Sequence, residues 1–517
     1  MRLRQLASAL LLAALATFAH AEVALPKIFS DHMVLQRDHP IAIWGTAMAG
    51  ETVTVRFAAD TQAAVADSSG AWSVRLRPLA ASAEGRDLVV TASNTLTLSD
   101  VLVGEVWIGS GQSNMEKQIG HRSGQKPCDN FEAEIASADH PLIRLYQFPR
   151  NGKPAEGDAT LRWLPCSPDT IARTNFSAAA YYFGRELQRE LKVPVGLIHS
   201  SVGGTRIEAW TPPEAYAAFP ALADVATHPG NAKTRIGNLY ASMIRPLVPF
   251  TVRGWLWYQG ESNLMTRDFA SYTDKMQVMV GAWRSAWAQP DAPFYFVQLA
   301  PYAYSARKQP EPLSAEALPL FWEAQTAAAT RIPASGSVVI TDTASDVRDI
   351  HPTNKRDVGE RLARLALART YGRADVVASG PVLRSATARG GELVLGFDHA
   401  TGLASRDGQP LSSFSVAGED RVFIPANARI DGETVIVSSP SVPAPVAVRL
   451  AFHERGNSNL VNAAGLPASP ARSDAWPVDG TRPATPADLA PPPPRPAAPA
   501  TPATPAAPAT PAASPSR

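Results

Sequence analysis

Three short stretches of this 517-residue chain carry residue types suited to acyl transfer. The first is Gly111-Gln112-Ser113-Asn114-Met115, directly after the apolar run Val106-Trp107-Ile108. A serine at the end of a strand, two residues after a glycine, can be held on a tight turn with its hydroxyl exposed. An unassisted hydroxyl is a poor nucleophile near neutral pH and needs a base within hydrogen-bond reach. The second stretch, Asp349-Ile350-His351-Pro352, supplies one. His351 is the candidate base, and Asp349 is the candidate acceptor that would fix its tautomer. Alone, the serine reads as a turn residue and the histidine as a loop residue. Together, in the chain order serine, aspartate, histidine, they read as a catalytic set. His351 must be neutral to take a proton. An ordinary imidazole pKa of about 6–7 predicts a rate that falls as pH drops through that range.

The third stretch is Gln259-Gly260-Glu261-Ser262-Asn263. Acyl transfer needs donors aimed at the developing oxyanion, and losing one costs about 10²–10³ in rate. The backbone N–H of Ser113 is one candidate. Gly203-Gly204 is a second, with Gly204 the preferred donor, because glycine lets a backbone N–H approach a ligand closely. A side-chain amide, Asn263 or Gln259, is the third. Glu261 has two readings: a carboxylate holding the loops of the site, or the acidic partner of His351. Asp342 and Asp346 lie near enough in sequence to compete for that place.

Trp210 and Tyr258 stand close to these motifs and have two readings, packing against a sugar ring, favoured for Trp210, or packing in the core. Arg206 has two readings, contact with an anionic group on a substrate or pairing with Glu208. Glu261 is also counted among the residues facing substrate. His121 and His199 belong to no metal-spaced cluster and are read as structural. Two cysteines, Cys128 and Cys166, make no zinc pattern. No metal and no cofactor are expected. The cysteines form either one disulfide, worth roughly 3–4 kcal/mol in the loop-entropy model, or two separate buried thiols.

These residues need a scaffold. Residues 22–100 alternate apolar and polar in short runs such as Val53-Thr54-Val55-Arg56, with Trp72 expected to face inward, and read as a small β domain. From 101 to 376 strands alternate with helices. Strands are predicted at 106–108, 195–199, 254–258, 294–299 and 338–341, and helices at 178–190, 238–245, 272–287, 321–330 and 358–369. Such alternation implies an α/β fold with a mostly parallel sheet covered by helices. Ligands then bind beyond the carboxyl ends of the strands, where all three motifs can converge on one rim. Residues 377–476 return to β patterning and read as a second β domain. Residues 477–517, rich in proline and alanine, read as an extended solvated tail.

Residues 1–21 read as a signal peptide: Arg2 and Arg4, the apolar stretch Leu6 to Phe18, and Ala19-His20-Ala21 as the cleavage site. The mature chain is expected to be periplasmic or secreted, without stable membrane insertion. With 48 basic and 47 acidic residues it has no electrostatic footprint for nucleic acid. Oligomeric state is not legible. A reading of another class is a secreted carbohydrate-binding protein with an inert hydrolase domain, motivated by the two β regions.

At these motifs the chain resembles the sialate O-acetylesterase family, a branch of the SGNH-type hydrolases. The match includes LPKIFSDHMVLQRD at Leu25 to Asp38, GEVWIGSGQSNM at Gly104 to Met115 and SSVGGTRIEAW at Ser200 to Trp210. It continues in WYQGESN at Trp257 to Asn263, DIHPTNK at Asp349 to Lys355 and GLPASPARSD at Gly465 to Asp474. The resemblance implies a three-layer α/β/α hydrolase domain flanked by β-sandwich-like domains. It implies hydrolysis of O-acetyl esters on sugars, sialic acids foremost and xylan or another polysaccharide as the alternative. Ser113 and His351 would be the core pair, with no metal, and Gly204 and an amide near Asn263 the oxyanion donors. In the wider superfamily the acid often lies three residues before the histidine, where this chain has Arg348. The superfamily block Gly-x-Asn-Asp reads here as Gly260-Glu261-Ser262-Asn263.

Overall fold

A computed structural model describes residues 22–149, 161–227, 235–308 and 312–483. The leader reading at 1–21, and the tail reading from 484 onward, lie outside the described residues. Among those described, no helix is long and apolar enough to cross a membrane.

In the N-terminal β region, period-two patterning decides which side chains turn inward. In Thr52–Phe57, Val53, Val55 and Phe57 are buried, while Thr52 and Arg56 face solvent. Strand Ile41–Thr46 pairs antiparallel with Ala71–Leu76, and Trp72 is buried as its pattern suggested. The next strand, β1 (Thr95–Gly111), runs for 17 residues. Its first part alternates and pairs antiparallel with Ser82–Thr91. From Val101 onward every residue is buried. That change marks the passage from a one-sided sheet to the centre of a parallel sheet covered on both faces. One strand thus crosses residue 100 without a break. The buried apolar residues of the N-terminal strands and of the α/β region form a single continuous core.

The main sheet adds β2 (His140–Gln147), β3 (Trp163–Cys166), β4 (Val195–Ser201), β5 (Gly254–Tyr258), β6 (Phe294–Val297) and β7 (Ser335–Val338). Its order is β7-β6-β5-β1-β4-β2-β3, parallel throughout except for β3 at the edge. Strands β4, β5 and β6 are wholly buried. The edge pair β2 and β3 was not anticipated, and β7 ends at Val338, where the sequence pattern suggested a start.

Four long helices cover the sheet: α1 (Ala178–Leu191), α2 (Tyr272–Trp287), α3 (Ala317–Arg331) and α4 (Arg356–Arg369). Neighbouring residues of β6 feed opposite faces. Phe294 packs on Trp283 of α2, and the Tyr295 hydroxyl bonds Thr370 just past α4. On the α4 side, a Cβ at Gly359 would stand 2.5 Å from Tyr182 of α1, so those two helices meet at glycine. On the other side α2 and α3 join through the Tyr272–Phe321 ring contact and the Thr273 hydroxyl on Ala324 O. The result is a three-layer α/β/α body. The predicted helix at 238–245 is instead one π turn, Tyr240–Ile244, followed by a 3₁₀ turn.

Residues 382–472 form two antiparallel four-stranded sheets enclosing their own core of Leu393, Leu395, Val416, Val435 and Val448. This unit is tied to the α/β body through Glu454, which accepts from Ser305, and through the paired contacts of Arg472 with Glu323. The first tail residues fold back rather than extending: Ser314 N–H donates to Gly480 O, and Arg482 pairs with Glu316.

Candidate active site

Sheet register brings the motif loops to one level. Gly111 of β1 lies opposite both Ser201 of β4 and Tyr258 of β5. The chain therefore leaves three adjacent strands at the same height, into Gln112-Ser113, Val202-Gly203-Gly204 and Gln259-Gly260-Glu261. Only glycine fits at 111. Its φ is +136°, and a Cβ there would stand 2.2 Å from Tyr258 O. Gln112 then bonds across to the β5 loop, its Oε1 accepting from the Gln259 amide and from Ser262 N–H. The chain turns into one helical turn, Ser113–Glu116. From Gly111 to Ile119, Ser113 alone is not buried.

Ser113 Oγ lies 2.9 Å from His351 Nε2. The two residues are 238 positions apart in sequence. Asn114 makes the junction. Its side-chain NH₂ donates to Ile350 O at 3.0 Å and to Glu261 Oε1, and its oxygen accepts from Lys355 Nζ at 2.7 Å. One amide thus joins the serine turn, the histidine segment and the β5 loop. Lys355 is fully buried at the entry to α4, with Nζ 5.1 Å from the centre of the Tyr258 ring. Neither Asn114 nor Lys355 was singled out from sequence, although both lie inside motifs that were.

Burial pushes the His351 pKa down to about 4, and the charges of Lys355 and Lys117 push the same way, against Asp349. The expected value near 6–7 belongs to a solvated imidazole. Desolvation lowers Lys355 to about 7, and raises the Glu261 carboxyl above its ordinary range.

Asp349 takes a contact other than the expected one. Its Oδ1 accepts from the backbone N–H of His351 at 3.0 Å, a local two-residue turn. No hydrogen bond joins a carboxylate to the His351 ring among the described residues. The alternatives are engaged elsewhere: Asp342 grips Arg361, Asp346 grips Arg348, and Glu261 bonds Asn114. Glu261 is buried beneath the serine turn and cannot face a substrate.

On the other side of Ser113 lies the β4 loop. A Cβ at Gly203 would fall 3.1 Å from that of Ser113. The N–H groups of Ser113 and Gly204 donate to no acceptor among the described residues, whereas Gly203 N–H donates to Glu116 Oε2 at 2.9 Å. The two amide side chains expected to help are spent. Asn263 donates to Glu208 and Asp268 and accepts from Ile207 N–H and Gln259. Gln259 donates to Gln112, Thr205 O and Asn263, and accepts from the Tyr272 hydroxyl. Both are fully buried.

Trp210 is also core, against the expectation of a sugar platform. Its ring packs edge-on to Trp257 and its N–H donates to Thr205 Oγ1. Arg206 pairs with Glu208, and Lys275 bridges Glu208 and Asp268, so two cations face two carboxylates. His199 bonds Ser201 and His121 packs on Phe131. Cys128 and Cys166 are separate buried thiols. Burial raises them to about 11 and about 12.

A hydroxyl, an imidazole and two unspent amide donors on one rim are the groups that serine hydrolase chemistry needs. The family described as "Carbohydrate esterase, sialic acid-specific acetylesterase" matches residues 103–368. Mouse sialate O-acetylesterase is 28% identical over 418 residues, covering 68% of this chain and 74% of the mouse protein. The human enzyme is 28% identical over 392 residues, covering 68% and 72%. The crystal structure of a carbohydrate acetylesterase from Xanthomonas citri superposes with a TM-score of 0.77 at 35% identity, covering 88% of this chain and all of that one. The chain belongs to the sialic acid-specific acetylesterase family and is a carbohydrate esterase.

Proposed function

We propose that this esterase removes O-acetyl groups from sialic acids through an acetyl-serine intermediate. The observation that carries the mechanism is the 2.9 Å approach of Ser113 Oγ to His351 Nε2, at the one accessible residue of the turn. Ser113 Oγ attacks the acetyl carbonyl as Nε2 takes its proton. The oxyanion accepts from Ser113 N–H and Gly204 N–H. As the tetrahedral species collapses, the C–O bond to the sugar breaks and His351 returns the proton to the departing sugar oxygen. Water then gives a proton to His351 and its oxygen attacks the acetyl-serine. Collapse releases acetate, and the proton returns to Ser113. Asp349 braces the backbone of the histidine segment, and Asn114 sets that segment against the serine turn.

The sialate choice rests on the relatives' activities; an acetylated xylan is the alternative substrate. Acetate release from O-acetylated sialic acid and from acetylated xylan, by wild type and by Ser113→Ala, tests both parts. The proposal expects sialate turnover, and a loss of about 10⁴-fold or more in the variant. Turnover of xylan alone replaces the substrate. Equal turnover by both proteins removes the mechanism, and none by either favours a carbohydrate-binding role. We also infer export to the periplasm or medium, supported by the leader pattern at 1–21. N-terminal sequencing of secreted protein beginning near Glu22 would bear this out, and an intact Met1 in the cytoplasmic fraction would refute it.

A further inference from the structure

We propose that Glu116 is a positioning residue for the oxyanion side of the site: it grips Gly203 so that the next amide, Gly204 N–H, is presented to the developing charge. The inference rests on the serine-esterase reading above. Glu116 ends the helical turn that Ser113 begins, three residues on, so nucleophile and grip belong to one rigid unit. The turn is itself pinned, with the N–H groups of Met115 and Glu116 both on Gln112 O at 2.9 Å. The Glu116 side chain is buried, and both of its oxygens are engaged. Oε2 accepts from Gly203 N–H at 2.9 Å, and Oε1 lies 3.3 Å from an Arg122 terminal nitrogen. Arg122 supplies the opposite charge. Without it, a carboxylate this near the forming oxyanion would work against it.

The loop it grips has little freedom. A Cβ at Gly203 would stand 2.8 Å from Glu116 Oε2 and 3.1 Å from Ser113 Cβ. Gly204 has φ +72°, a conformation side chains rarely adopt. Downstream, Thr205 Oγ1 donates to Val202 O at 2.7 Å and accepts from the Trp210 indole. The Val202–Gly203 peptide, directly before the one that carries Gly204 N–H, is thus held at its oxygen by Thr205 and at its N–H by Glu116. A positioning shift of about 1 Å costs about 10²-fold in rate, so loosening the grip should appear in kcat and not in substrate binding.

The test compares kcat, KM and melting temperature for acetyl-ester hydrolysis in wild type, Glu116→Ala, Glu116→Gln and Glu116→Asp, with Ser113→Ala alongside. Glu116→Ala should lose about 10²-fold in kcat with KM within about threefold. Glu116→Gln keeps an acceptor for Gly203 N–H at full reach and should stay within about fivefold of wild type. Glu116→Asp keeps the charge but withdraws the oxygen by one methylene, and should lose about 10-fold in kcat. The order Gln above Asp therefore carries the proposal even if the alanine variant fails to fold. Asp above Gln would overturn it in favour of a plain ion pair, as would an alanine kcat within about twofold of wild type. Full activity in Ser113→Ala would overturn the serine reading and this proposal with it. An inactive Ser113→Ala beside an unaffected Glu116→Ala overturns this proposal alone.

Discussion

Two buried hydrogen-bond clusters leave the same β5 loop in opposite directions. Glu261 reaches toward the serine turn and meets Asn114 and, through it, Lys355 and the histidine segment. Two residues later, Asn263 turns away and meets Glu208, Asp268 and, through them, Lys275 and Arg206. Both clusters are rich in the residue types that active sites use. The second balances its charges and spends both amide groups of Asn263, so it can only hold. The first ends beside a hydroxyl, an imidazole and two N–H groups that donate to nothing else among the described residues. Residue type alone therefore does not separate scaffold from chemistry; the unspent donor does.

Substitution at the centre of each cluster should separate them. Asn114→Ala is expected to have the largest effect. It frees Ile350 O and leaves Lys355 and Glu261 buried without their shared partner. We expect roughly 3 kcal/mol of lost stability and about 10²-fold in kcat from misplacement of His351, read by urea unfolding and steady-state kinetics. Asn263→Ala should cost roughly 2–3 kcal/mol of unfolding free energy and leave kcat of the folded fraction within about threefold. A loss of 10²–10³ in kcat at unchanged stability would instead make Asn263 an oxyanion donor and dissolve the contrast.

Asp349 gives a smaller effect. Because its carboxylate meets backbone and not the imidazole, Asp349→Ala should cost about 10-fold or less, against about 10⁴ for loss of a carboxylate that orients the ring. The smallest effect is on pH. A His351 pKa of about 4 means the base stays neutral through mildly acidic solution, so kcat/KM should hold its value well below pH 6 and fall only near pH 4. Burial is the main cause. Lys355→Met removes the largest opposing charge, so protonation becomes easier and the acid limb moves to higher pH. A wild-type limb at pH 6–7 would mean that the imidazole is solvated.

Much of this was legible in the sequence because strands of a parallel sheet end where their apolar runs end. The runs before Ser113 and Gln259 placed two motifs on one rim, the His351 segment was expected to join them there, and His351 Nε2 lies 2.9 Å from Ser113 Oγ. The direction of side chains beyond the strand ends was less legible. Gln259 lies just before, and Asn263 within, a single helical turn, Glu261–Leu264, and both amides point inward. Trp210 sits on a 3₁₀ turn, Ile207–Trp210, that buries all four of its residues. Nothing in local spacing distinguishes such a turn from one that opens to solvent. The depressed His351 pKa was equally hidden, since it comes first from burial, then from the charge of nearby Lys355 and from that of Lys117, which only the fold brings close.

The most direct test of the central claim is peptide mass spectrometry after reaction with an organophosphonate ester, run in parallel on wild type and His351→Ala. An activated serine predicts one adduct, on the peptide containing Ser113, formed far more slowly in the variant. An adduct on another residue, or equal labelling of Ser113 without the imidazole, would contradict it.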